Sequence, residues 1–456
     1  VDGDDQERGA KRHATDRLIA DPIRATDLAL AVAAPHRHDR RVQVEEFTGA
    51  PEVLAVVREV QAREAHYSDI IDDDGHQYVD LVLEGGGMLG LALSGYAHVL
   101  EQAGLRFAGI GGTSAGSVTA LLLAASGPPV AARAETIIKL LTTTDTRAWV
   151  DGPADARALV SAFAEGAGAA RMVWRVSQIL DEFVDLGLNP GEAVYRWLST
   201  ELTRMGIISS GDLQRRMTTC PPGLRTRDGE PLADTAADLF RLAVIAVDLS
   251  TETRLELPRM AGLLWTHPDE IDPAWFVRAS MSVPLFYAPV RIHKVPQGEA
   301  ARHLWEELTG YTGQVPETCV LVDGGLISNF PIDVFHRQQT EPRHPTFGVK
   351  LAPFRGANPP ITAVHELLAA CFRAAAHARD DDVILHNPEI KQLVAVIDTS
   401  GFNWLDFDMS PERKRALFTR GAVAAGKFLR EFDWPRYKEV RGHLTRAARA
   451  AGPARE

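Results

Sequence analysis

The chain has 456 residues, 45% hydrophobic and 24% charged, enough to bury a large core. Its formal net charge of −12 excludes nucleic acid as the main partner, because phosphate binding needs clustered Lys and Arg. It also argues against strong adhesion to anionic lipid. The longest apolar run is too short to span a bilayer, and no charged-then-apolar leader opens the sequence. Cys220, Cys319 and Cys371 lie far apart with no metal or redox spacing, so they read as small buried hydrophobes in a reducing compartment. Cytoplasmic residence is expected.

Residues 1–45 are rich in Asp, Arg, His and Ala without an apolar period, and read as a loosely ordered arm. His36-Arg37-His38 in this arm reads as a solvated loop and not a metal site. Helical spacing appears at Val53, Leu54, Val57 and Val60, and Asp72-Asp73-Asp74-Gly75 breaks it as a turn. Residues 1–77 are thus an N-terminal extension, partly disordered and then helical. From Tyr78 short apolar runs alternate with longer helical patterns, the signature of a parallel sheet covered by helices. Strands are expected at Tyr78–Leu83, Phe107–Ile110, Leu242–Asp248, Thr253–Leu257, Val320–Val322, Phe347–Leu351 and Leu393–Ile397. Helices are expected at Leu91–Ala103, Ala115–Ala125, Ala132–Leu141, Met172–Val184, Gly191–Met205, Ala363–Ile384 and Pro411–Glu431. No repeat or Ser/Gly linker divides this stretch, so it reads as one large α/β domain with a helical C-terminal part packed on it.

Two glycine clusters carry the chemistry. Leu81-Val82-Leu83-Glu84-Gly85-Gly86-Gly87-Met88-Leu89-Gly90 is a strand running into a triple glycine that opens a helix. It contains G-x-G-x-x-G at Gly85, Gly87 and Gly90, but a dinucleotide site needs an acid at the end of the second strand. Here that strand runs into Gly111-Gly112-Thr113-Ser114, with glycine where the acid should stand. The second cluster, Gly112-Thr113-Ser114-Ala115-Gly116, is G-x-S-x-G between a strand and a helix. Gly112 and Gly116 let the chain bend sharply, which turns the Ser114 hydroxyl outward and leaves the Ala115 N–H free at a helix start. Beside it, the N–H groups of Gly86 and Gly87 are placed to receive the oxyanion of a tetrahedral acyl intermediate.

A serine nucleophile needs a base. His98, His344, His365, His377 and His386 are available for a Ser-His-Asp triad, but none stands in a distinctive turn. Leu321-Val322-Asp323-Gly324-Gly325 instead delivers an aspartate from a strand into a glycine turn. With Gly85–Gly90, Gly112–Gly116, Asp323-Gly324-Gly325, Asn329-Phe330-Pro331 and Ala279-Ser280-Met281-Ser282-Val283-Pro284 in this order, the chain resembles the patatin-like phospholipases. The resemblance runs from about Val79 to Asp333.

The resemblance implies a three-layer α/β/α sandwich with a mostly parallel central sheet. The catalytic core would span residues 78–337, with residues 338–456 adding C-terminal strands and helices. It implies a lipid acyl hydrolase with a Ser114–Asp323 dyad and no histidine, an oxyanion hole at Gly85, Gly86, Gly87 and Ala115, and no cofactor or metal. Gly90, Gly112, Gly116, Gly324 and Gly325 would support these turns. The partner is a lipid or phospholipid substrate, with peripheral membrane contact. The chain departs from the family at Leu89, where Arg or Lys is common. Alternatives are a catalytically idle or partner-activated binding module, and a triad esterase.

An apolar stretch with Trp149, Phe163, Met172, Val173, Trp174, Val176, Ile179, Leu180, Phe183, Val184, Trp197 and Leu198 reads mostly as core, otherwise as an acyl channel or lid. Thr399–Asp408 reads as a structural loop capping helix Pro411–Glu431, otherwise as a cover over the site.

Overall fold

The computed structural model describes residues 43–154, 186–229, 235–336, 341–352 and 382–451, with single positions between them, Asp380 among these. The N-terminal arm, the helix expected at Met172–Val184 and most of the one expected at Ala363–Ile384 lie outside the described residues. So do Cys371, His365 and His377.

In chain order the main elements are helix α1 (Pro51–Gln61), strand β1 (Gln77–Leu83), α2 (Leu91–Gln102), β2 (Leu105–Thr113), α3 (Ala115–Ala125), α4 (Ala134–Thr143) and α5 (Glu192–Arg204). Then come β3 (Leu242–Asp248), β4 (Thr253–Leu257), α6 (Ala274–Ser280), β5 (Val290–His293), β6 (Thr318–Asp323), β7 (Thr346–Ala352), β8 (Val394–Asp398), α7 (Pro411–Glu431) and α8 (Trp434–Ala451). The sheet order is β8-β7-β1-β2-β3-β6-β5. The first five strands run parallel; β6 joins β3 antiparallel, and β5 and β4 are also antiparallel to their neighbours.

Strands buried on both faces read as continuous apolar runs, which is why VLVL-type segments were legible. Their side chains alternate between two cores. Leu81, Leu83 and Val244 enter the larger core with α2, α3 and α7. Val82 and Ala243 point the other way, against Phe330, Ile332, Phe335 and Ile390. The sheet is thus the middle of three layers. The C-terminal helix α7 lies on α2 at very short range. A Cβ on Gly421 would stand 1.9 Å from the Ala92 oxygen, and one on Gly95 would stand 2.1 Å from the Phe418 oxygen. Glycine at both positions is what lets the two backbones cross so closely.

Among the described residues no helix is long and apolar enough to cross a membrane. One expectation fails plainly: Cys319 is buried but Cys220 is exposed. Cys220 lies in the irregular segment just past helical Ser210–Met217, with its side chain at the surface.

Candidate active site

Two strand ends meet along the edge of β3. Strand β3 pairs with β4 over Val244–Asp248, with β2 over Leu242–Ile245 and with β6 over Ala246–Asp248. Because β4 overlaps both other registers, β2 and β6 must share the opposite edge of β3, one after the other. They run towards each other and stop at adjacent positions: Thr113 faces Ile245, and Asp323 faces Ala246. The next residue of β2 is Ser114. Sheet register alone therefore brings the serine and the aspartate together across 209 residues of chain.

Ser114 adopts φ 52° and ψ −122°. A side-chain-bearing residue at positive φ is strained by roughly 1–3 kcal/mol, so the surroundings must hold it. They do: the Ser114 N–H donates to Ser280 Oγ at 2.9 Å, and the Ser114 carbonyl accepts from the N–H groups of Ser117 and Val118. Glycine is required around it. A Cβ on Gly116 would stand 2.2 Å from the Leu83 oxygen, and one on Gly112 2.5 Å from the Gly116 carbonyl carbon.

Asp323 is buried, 3% exposed. Oδ1 accepts from the Gly325 N–H at 2.7 Å, whereas Oδ2 is buried without a hydrogen-bond partner among the described residues. Burial pushes its carboxyl up to about 7, with the Gly325 N–H and the Ser114 hydroxyl working against the rise. The Asp323 N–H donates to the Ser282 oxygen at 2.9 Å. Ser280 and Ser282, from one short segment, thus hold the backbones of Ser114 and Asp323 respectively.

The first glycine turn closes over the serine. Carbons define the approach: a Cβ on Gly85 would stand 3.1 Å from the Ser114 Cβ, and one on Gly90 3.1 Å from the Ala115 Cβ. The Gly85 N–H is spent on the Asn329 oxygen (3.1 Å), Met88 on the Trp404 oxygen (2.9 Å) and Leu89 on the Gly86 oxygen (3.1 Å). Asn329 Nδ2 returns a hydrogen bond to the Gly85 oxygen, so Gly85 is clamped on both sides. Gly87 has φ +54°, and a Cβ there would stand 2.4 Å from the Trp404 oxygen. Beneath the turn Glu84 is buried; burial pushes its carboxyl up to about 8 although Lys350 opposes this, and the Leu351 N–H donates to it.

In front of Ser114 lies a cleft that opens to solvent. Its walls are mostly apolar: Met88, Leu91, Val118, Leu141, Trp149, Met281, Phe286, Trp404 and Phe407. Phe286 stacks on Phe407 at 5.8 Å, and Trp149 leans on Trp197 at 4.9 Å. The Thr399–Asp408 loop, read from sequence as a cap for α7, lines the cleft through Trp404 and Phe407. Its reach across the site comes from the Met88–Trp404 backbone hydrogen bond, which no local pattern encodes. From the expected acyl-channel stretch, Trp149, Trp197 and Leu198 are described, and Trp149 lines the cleft; the others named lie outside the described residues.

No described histidine lines the cleft. His98 is buried on α2 against Phe418, and burial pushes its pKa down to about 4. His344 bonds Asp80, and His386 bonds the Asp382 oxygen on an exposed helix. No group of His, Cys, Asp and Glu suited to a metal ion occurs among the described residues.

"Uncharacterized protein YqhO" of Bacillus subtilis (strain 168) is 26% identical over 359 residues, 78% of this chain and 100% of that protein. Among solved structures, VipD from Legionella pneumophila gives a TM-score of 0.38 at 15% identity, covering 82% of this chain and 72% of VipD. The type III effector ExoU of Pseudomonas aeruginosa gives 0.32 at 14% identity, covering 78% of this chain and 54% of ExoU. The model of the family described as "Patatin-like phospholipase" matches residues 81–336, more than half of the chain. The chain belongs to the patatin-like phospholipase family.

Proposed function

We propose that the chain hydrolyses carboxylic esters of lipids through an acyl-serine intermediate, with Ser114 as nucleophile and Asp323 as base. Membership of the family supports a lipid ester as substrate. The observation that carries the dyad is the pairing of a strained Ser114 with a buried aspartate whose Oδ2 has no partner. An Asp in water is too weak a base for a serine hydroxyl; one held near pH 7 by burial is a far better match.

The steps follow from the groups present. The Ser114 Oγ attacks the ester carbonyl carbon as its proton passes to Asp323 Oδ2. The carbonyl oxygen becomes an oxyanion that accepts from the N–H groups of Gly86, Gly87 and Ala115, helped by the dipole of α3. Gly85, clamped to Asn329, fixes the turn that presents these donors. Collapse expels the alcohol, which takes the proton from Asp323. Water then attacks the acyl-serine, with Asp323 again as base, and releases the fatty acid. The apolar cleft suits the acyl chain. The absence of histidine from the described cleft lining favours the dyad over a triad esterase.

Release of fatty acid from mixed phospholipid vesicles tests this. Wild type should release it, and Ser114→Ala should lose about ten thousandfold or more of kcat while keeping the wild-type circular dichroism spectrum. A folded Ser114→Ala variant as active as wild type would contradict the assignment. A wild-type protein whose serine takes up no fluorophosphonate would support the idle-module alternative.

A further inference from the structure

The apolar cleft holds one charged side chain among its described lining residues, Lys414. The glycine turn Gly85–Gly90 carries no cation, so this ammonium is brought in from a distant part of the chain, the C-terminal helix. Its position is costly in three ways. Helix α7 starts at Pro411 after the Ser410 cap, so Lys414 sits at the N-terminal end, where the helix dipole disfavours a cation. Burial lowers its pKa. And it has no ion-pair partner within reach among the described residues.

The nearby carboxylates are already committed. Asp145 pairs with Arg147 at 2.9 Å, Asp408 lies 3.7 Å from the same Arg147, and Asp406 pairs with Arg413 at 3.4 Å. They act on Lys414 only through the longer-range field, and Arg147 opposes them. A partly desolvated ammonium in an apolar cleft that also contains the nucleophile is a receptor for an anionic group.

We propose that Lys414 sets the substrate selectivity of this cleft by binding an anionic group, a phosphate or carboxylate, on the same molecule whose ester lies at Ser114. This rests on the ester-hydrolase reading above. The ammonium bonds an anionic oxygen more strongly than the hydroxyl or carbonyl oxygen of a neutral glyceride, so esters with an anionic group are bound in preference to neutral ones of equal chain length.

The test compares dihexanoyl phosphatidate with dihexanoylglycerol, which share acyl chains and ester bonds. The ratio of their kcat/KM values should fall roughly ten- to a hundredfold in Lys414→Met, mainly through KM, and should be largely retained in Lys414→Arg. An unchanged ratio in Lys414→Met, or an equal fall in Lys414→Arg, would overturn the proposal. A second readout needs no turnover. In Ser114→Ala, hexyl phosphate should quench the fluorescence of the cleft tryptophans Trp149 and Trp404, and Lys414→Met should weaken that binding by a similar factor. Inorganic phosphate binding as tightly as hexyl phosphate would mark a free-anion site and sink the lipid subsite. If wild type hydrolyses neither ester, the hydrolase reading fails, and the binding arm still decides the role of Lys414.

Discussion

Asp80 and Asp323 are buried aspartates on neighbouring parts of one sheet, 5% and 3% exposed, yet they are built for different work. Asp80 lies within β1, where Oδ1 accepts from the Gly109 N–H at 2.8 Å and His344 Nε2 at 3.1 Å, and Oδ2 from the Thr346 hydroxyl at 3.1 Å. Asp323 ends its strand with the Gly325 N–H on Oδ1 and the Ser114 hydroxyl acting on the carboxyl, while Oδ2 has no close hydrogen-bond partner among the described residues. Burial is equal; the supply of donors is not. A fully supplied carboxylate ties strands together, while a half-supplied one keeps a lone pair for a proton. The incomplete hydrogen-bond shell, more than burial, sets Asp323 apart from Asp80.

Exchanging each aspartate should separate the two roles. Asp323→Asn should cost about a thousandfold or more in kcat, since the amide cannot take the serine proton. Its effect on stability should be opposite in sign. The folded-state pKa of Asp323 is raised from 3.8 to about 7, so the neutral form favours folding and stability is lost as pH rises between those values. Asp323→Asn should therefore gain on wild type by on the order of a few kcal/mol above pH 7, with the difference closing towards pH 4 in thermal melts. Asp80→Ala should do the reverse, losing roughly 1–3 kcal/mol of stability while folded protein keeps its kcat. Equal effects of the two substitutions on kcat would erase the distinction.

A smaller effect sharpens the same contrast. Ser280→Ala removes the acceptor for the Ser114 N–H and leaves the strained turn less well held. About a tenfold loss in kcat with KM little changed is expected, together with roughly 1 kcal/mol of stability. A change in KM alone would mean that Ser280 acts on the cleft wall and not on the nucleophile.

Much of this was legible where local pattern and tertiary environment agree. Ala115–Ala125, Pro411–Glu431, Leu242–Asp248 and Thr253–Leu257 fall where periodicity puts them. Strand β2 is longer than expected, because Gly111, Gly112 and Thr113 stay in the ladder opposite β3 despite the weak strand preference of glycine. The convergence of Gly85–Gly87, Ser114 and Asp323 followed the resemblance that their order carried. What stayed hidden was long-range: Ser280 reaches Ser114 across 166 positions, and Trp404 reaches Met88 through its backbone oxygen. Lys414 stayed hidden too, since in the sequence PERKRALF it is one charge among several on an amphipathic helix. Only the fold shows that it faces the cleft.

Activation of Ser114 by one half-supplied aspartate, without a histidine, has a kinetic signature. The rate of fluorophosphonate labelling of Ser114 as a function of pH tests it most directly. The wild-type rate should rise with a midpoint near pH 7, where Asp323 loses its proton, and the Asp323→Asn rate should be low and flat across the same range. Labelling of Asp323→Asn at the wild-type rate, with the rise near pH 7 intact, would contradict it.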